Sequence, residues 1–104
     1  MQIKTENGKL IDIFAIYWTD SETLFLGLPR NYGGLLAYNS NKVCIANYDI
    51  NFKTVYFENN IKSVLHWALI KEKLLDDLLE LDEDAYNRFL EIIKSEGLVD
   101  PDFY

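Results

Sequence analysis

The chain has 104 residues, 49% of them hydrophobic and 14% aromatic, with two prolines and a formal charge of −7. That length matches one domain, and the apolar content excludes the low-hydrophobicity, high-charge profile of a disordered chain. The charge is uneven: residues 1–71 hold seven Lys or Arg against six Asp or Glu, whereas residues 72–104 hold three against eleven. A negative field repels phosphate backbones and anionic bilayers and draws in basic protein surfaces, so the expected partner is a basic protein, with no direct nucleic-acid or membrane binding.

The opening segment, MQIKTENGK, is polar, and the longest apolar run, Ile13 to Trp18, is too short for a membrane span or a signal core. A single cysteine, Cys44, allows no internal disulfide and suits a reducing compartment, which places the expected site of action in the cytoplasm. Residues 2–6, Asn7-Gly8 and the apolar run from Leu10 predict a β-hairpin with a type I′ turn. Strict alternation along the second strand sends Leu10, Phe14, Ile16 and Trp18 to one face and Ile11, Ile13, Ala15 and Tyr17 to the other, so this strand is expected at the centre of a sheet. After the polar break 19–22, Leu24, Leu26 and Leu28 share a face at period two. Pro29 to Gly34 then predicts an exposed loop, with Gly33-Gly34 flexible. Extended segments over 35–38, 42–48 and 52–57 complete an expected antiparallel meander of five or six strands.

From residue 61 the pattern changes. At 100° per residue, Lys62, His66, Lys73, Asp76, Asp77 and Glu80 of 61–81 fall on one narrow arc, and apolar residues fill most of the remainder. A helix with so wide an apolar arc needs a sheet on one side and a second helix on the other. Asp82 is placed to cap that second helix, Glu83 and Asp84 suit its positive end, and Gly97 stops it. The expected architecture is therefore a single α+β domain over 1–104, with two C-terminal helices on one face of the meander; the tail 98–104 is left open between packing back and remaining free.

Residues suited to chemistry are few. The one histidine, His66, lies on the polar arc and is expected to be solvated; Cys44, between Val43 and Ile45, is expected to be a buried, inert thiol. No Cys/His cluster or calcium-loop spacing is present, and Gly33-Gly34 lacks the pattern of a phosphate cradle, so no metal, cofactor or catalytic residue is expected. Asp12, Asp20, Glu22, Asp49 and Glu58 supply carboxylates, as any acidic chain does, and Asp12 in its apolar strand is expected to be structural or at an edge. The remaining positive signal is the acidic stretch Asp76, Asp77, Glu80, Asp82, Glu83 and Asp84, which ends one expected helix and begins the next. Carboxylates on rigid helix ends can stand in for phosphates in the cleft of a basic enzyme, so these six are the expected partner-binding residues. Tyr86, just beyond them, falls on the apolar arc and is expected in the core.

In size, acidity, absence of a catalytic motif and order of strands before helices, the chain resembles the small cytosolic immunity proteins of bacterial toxin–immunity systems, including those paired with contact-dependent growth-inhibition toxins. The resemblance implies a protein that binds one toxin domain, often a nuclease, and blocks its active site or another essential surface; it carries no site residues across. A nucleic-acid mimic or regulatory subunit that fills the basic groove of a host enzyme would use the same carboxylates. An enzyme built on Cys44, His66 or paired carboxylates is the third alternative.

Overall fold

The computed structural model describes residues 1–104. Strands β1 (Gln2–Lys4), β2 (Leu10–Trp18), β3 (Thr23–Leu28), β4 (Leu36–Asn39), β5 (Cys44–Asn47), β6 (Thr54–Glu58) and β7 (Lys62–His66) precede helices α1 (Trp67–Lys71), α2 (Leu75–Leu79) and α3 (Glu83–Ser95). All pairings are antiparallel, giving an α+β architecture with a seven-stranded sheet and one long C-terminal helix. No helix is long and apolar enough to cross a membrane.

The hairpin forms where Asn7-Gly8 predicts it, with a different turn. Gly8 N donates to Thr5 O (2.9 Å), Thr5 N donates to Lys9 O (2.9 Å), and only Gly8 has positive φ, at 82°. Glu6 and Asn7 thus make the tight turn and Gly8 the left-handed bulge residue of a three-residue loop, in place of a type I′ turn.

Strand β2 organises the sheet by using its two edges differently. One edge carries β3 from Asp12 to Trp18. The other is divided: β1 pairs with Leu10–Asp12 and β7 with Ala15–Trp18. The sheet forks there, and Phe14 sits in a bulge opposite β3, between the pairs Ile13–Gly27 and Ala15–Leu26. That extra residue resets the alternation. Ile11, Ile13 and Ile16 face one side with Ile3 and Phe25, while Phe14, Ala15 and Tyr17 face the helices, so strict alternation fails at the bulge. Gly27 has no room for a side chain, since a β-carbon there would lie 2.5 Å from Ile11 Cγ2.

Along the order β4-β3-β2-β1-β5 the outer strands are joined by only Ser40–Val43, part of it a 3-10 turn. A flat five-stranded sheet would hold those strands about 19 Å apart, whereas the five steps from residue 39 to 44 reach about 17 Å even fully extended. The sheet must therefore curl, and its inner side holds the small cluster of Ile3, Ile11, Ile13 and Phe25. The larger core lies between the other side and the helices, with Phe14, Leu65, Leu69, Leu78, Tyr86, Phe89 and Ile93 at its centre.

Residues 61–81 do not form one helix. Lys62–His66 is a strand, and the following residues make two single-turn helices separated by Lys73, whose φ is 55°. The wide apolar arc is the trace of this: a five-residue strand and two short helices, each with its own buried face, were superposed on one helical wheel. The helix expected from Asp82 to Gly97 is present as α3, with Asp82 as its N-cap, accepting from Ala85 N at 2.9 Å, and Gly97 at φ 71° beyond its end. The tail packs back. Phe103 is buried, Arg30 stacks 4.7 Å above its ring, Asn31 N donates to Tyr104 O, and the Tyr104 ring meets Tyr86 edge-on at 5.6 Å.

Candidate functional site

Two groups of polar residues stand out, one buried and one exposed. His66 ends β7 and caps α1, fully enclosed by Phe14, Phe52, Trp67 and Phe89. This overturns its expected place on a solvated arc: period two along 62–66 turns Ser63 and Leu65 to the helix side, and at the strand-to-helix corner His66 turns into the core. Its Nδ1 accepts from Ala68 N at 3.1 Å, so Nε2 carries the proton and donates to Glu96 Oε1 at 2.6 Å. The other oxygen of Glu96 accepts from Trp67 Nε1 at 2.7 Å. Burial pushes the imidazole pKa below its ordinary value, against the opposing hydrogen bond and charge of Glu96. The trio ties the β7–α1 corner to the C-terminal end of α3.

Cys44 is in a strand, as expected, but exposed: β5 pairs with β1 on the rim of the curled sheet, where no element covers it. An exposed thiol and a fully enclosed imidazole share no open site. Asp12 is half-buried and accepts from Gln2 Nε2 across the strand pair at 3.1 Å; burial raises its carboxyl pKa, with the Gln2 hydrogen bond opposing. It lines a hollow of about 260 Å³ with Arg30 and Asp100, which pair with each other at 3.0 Å. Asp20, Glu22, Asp49 and Glu58 are exposed and scattered over separate turns and strands. No three His, Cys, Asp or Glu side chains are grouped to hold a metal ion.

The exposed group is the junction of α2 and α3. Asp76 and Asp77 lie in the first turn of α2, Glu80 is its C-cap, Asp82 is the N-cap of α3, and Glu83 and Asp84 form the first turn of α3. All six carboxylates are exposed, on consecutive elements from Asp76 to Asp84. None takes part in a salt bridge, because the protein's close ion pairs lie elsewhere: Arg88 with Glu72 and Glu91, Arg30 with Asp100, and His66 with Glu96. Two leucines stand among them, Leu79 at 43% and Leu81 at 46% exposure.

The junction is held by local contacts. Leu81 takes a left-handed φ of 61°, and Leu78 is buried with its carbonyl accepting from Leu35 N at 3.1 Å. Gly34 lies flat beneath that carbonyl, where any β-carbon would collide with it and with Leu81 Cδ2. Gly33-Gly34 is thus a packing contact at its second residue and not a free loop. The sequence marked the carboxylates but not the leucines, since Leu79 and Leu81 fall on the apolar side of a continuous helix and surface only because the helix is broken.

Tyr86 packs in the core as expected, but its hydroxyl is buried without a hydrogen-bond partner. No protein-family model matches the chain, and neither curated protein sequences nor solved structures provide a match.

Proposed function

We propose that this protein is a binding protein that neutralises a basic partner, an immunity protein acting in the cytoplasm on a cognate toxin domain. The observation that carries the reading is the α2–α3 junction: six exposed carboxylates, no ion pair among them, around two exposed leucines on a braced backbone. Helix dipoles account for acids at Asp76, Asp77, Glu83 and Asp84, since the first turn of a helix favours negative charge. They do not account for Leu79 and Leu81 in solvent beside them. Apolar anchors within a charged surround match the anatomy of a protein–protein contact, where the anchors supply desolvation and the charge supplies steering and selectivity.

The reaction class that such a surface can block is one whose active site is a basic cleft, as in a nuclease, with the carboxylates standing where phosphates would. The test is a pull-down from the source organism at low and high salt with the native chain and a variant carrying Asp77→Asn, Glu80→Gln, Asp82→Asn and Glu83→Gln. A basic toxin domain retained by the native chain and lost or weakened with the variant is the expected result. Equal retention by both would move the docking surface away from this junction, and no specific partner would remove the reading.

A further inference from the structure

The acidic junction is not the only surface left without cover. Strand β6 pairs with β7 on one side and with nothing on the other. Trp67 N donates to Lys53 O at 3.0 Å and Asn59 N to Ile61 O at 3.3 Å, which marks residues 53 and 59 as facing β7. Antiparallel pairs alternate, so Val55 and Phe57 also turn their peptide groups toward β7, while Thr54, Tyr56 and Glu58 turn theirs outward.

Edge strands are ordinarily protected by Pro, Lys, a bulge or a covering segment. Within β6 there is no Pro or Lys, and its register with β7 runs without a shift. The edges of β4 and β5 are drawn toward each other by the short Ser40–Val43 link, but nothing does the same for β6. Instead Tyr56 and Phe57 stand 57% and 51% exposed. On the helix side Phe57 lines an apolar hollow of about 380 Å³ with Tyr17, Ile61, Leu65, Ile70 and Leu75.

We infer that β6 is a self-association edge, where a second copy of this chain adds its own β6 antiparallel about a two-fold axis through Tyr56. In that register Thr54 opposes Glu58 of the second copy, Tyr56 opposes Tyr56, and Val55 opposes Phe57. Every outward-facing peptide group of β6 then meets an outward-facing one. The β-branched and aromatic pair lies on the side of the sheet that carries the hollow, a combination that stabilises antiparallel sheets.

Charge favours β6 over the helices as the place where a second copy meets this one. Between Phe52 and Leu65 the formal charges are Lys53, Glu58 and Lys62, whereas residues 72–104 hold three Lys or Arg against eleven Asp or Glu. Two copies meeting through their helices would repel; through β6 they meet where Lys53, Glu58 and Lys62 leave no excess of acid, and Thr54, not a second Glu58, opposes Glu58. The six junction carboxylates lie outside β6, so the strand pairing itself uses none of them.

Sedimentation of the native chain over a concentration series, beside Tyr56→Pro and Tyr56→Lys, tests this. The proline removes only an outward amide, so the β6–β7 ladder and the thermal transition should persist, and the lysine is the usual edge guard. A concentration-dependent dimer, weakened at least tenfold by either change, is the expected result, with the amides of Tyr56 and Glu58 exchanging more slowly as concentration rises and those of Val55 and Phe57 unchanged. A native chain that stays monomeric at every concentration overturns the inference. So does a dimer of undiminished strength in Tyr56→Pro, or protection of β6 that arises only when a different protein is added.

Discussion

Glu96 and Glu80 occupy the same position in their helices, each the C-cap, and they do opposite work. Glu96 accepts from His66 and Trp67 and locks a corner of the sheet to α3. Glu80 has no ion-pair partner and stands in an exposed acidic group. The contrast teaches that the buried polar group of this protein holds the fold, while the carboxylates from Asp76 to Asp84 stay exposed and outside its ion pairs. It follows that changes at the first region should register as stability and changes at the second as binding.

The largest expected effect is at His66. His66→Ala removes a fully buried ring from among four aromatic residues and leaves Ala68 N without its acceptor, and a loss of about 3 kcal/mol in chemical denaturation is expected. A loss below about 1 kcal/mol would show that the trio does not hold the corner.

The same ring makes stability depend on pH. Because folding lowers its pKa, the unfolded chain takes up the proton first as pH falls, so the contribution is fully present above about 6.5 and is lost as pH drops from there through the folded-state value. Asp12, with its pKa raised by folding, has the opposite sign, and comparison with His66→Gln isolates the histidine. The thermal stability of the native chain should fall on acidification below about pH 6.5, and that slope should flatten in His66→Gln.

At the junction the expectation reverses. The fourfold neutralised variant should slow association with a basic partner by about tenfold or more at low salt. Its folding stability should stay within about 0.5 kcal/mol of the native chain, because asparagine at 82 keeps the N-cap. A large destabilisation would mean the carboxylates serve the helices and not a partner. The smallest change is in the core beside the C-terminal tail: Tyr86→Phe removes a buried hydroxyl with no partner, and a gain of about 1 kcal/mol in stability is expected from calorimetry or denaturant titration.

Much of this was written in the chain. The hairpin follows from Gly8, whose left-handed φ only glycine adopts freely, and α3 follows from Asp82, its amphipathic period and Gly97. The exposure of the six carboxylates was also legible, because charged residues at helix ends are rarely covered; the position of Asp76 and Asp77 was not, since they begin α2 instead of ending a helix over 61–81. Segment 62–66 was not. Five residues of Lys-Ser-Val-Leu-His fit period two and period 3.6 equally well, and the decision lay with β2, whose C-terminal half offered an open edge that only a strand could complete. The burial of His66 follows from that strand, and the surfacing of Leu79 and Leu81 from the helix break at Lys73, so neither is legible in a local pattern.

The sequence by itself determined an α+β chain with strands before helices, a capped terminal helix, and acid concentrated after residue 71; each of these rests on neighbours within a turn or two of the chain, where local stereochemistry and charge decide. Tertiary structure alone decided the fork in the sheet, the bulge at Phe14, the inward turn of His66 and the bare edge of β6. Those depend on which distant strand fills which half of β2, and pairing between segments some fifty residues apart is set by the packing of the whole core, which no local pattern records.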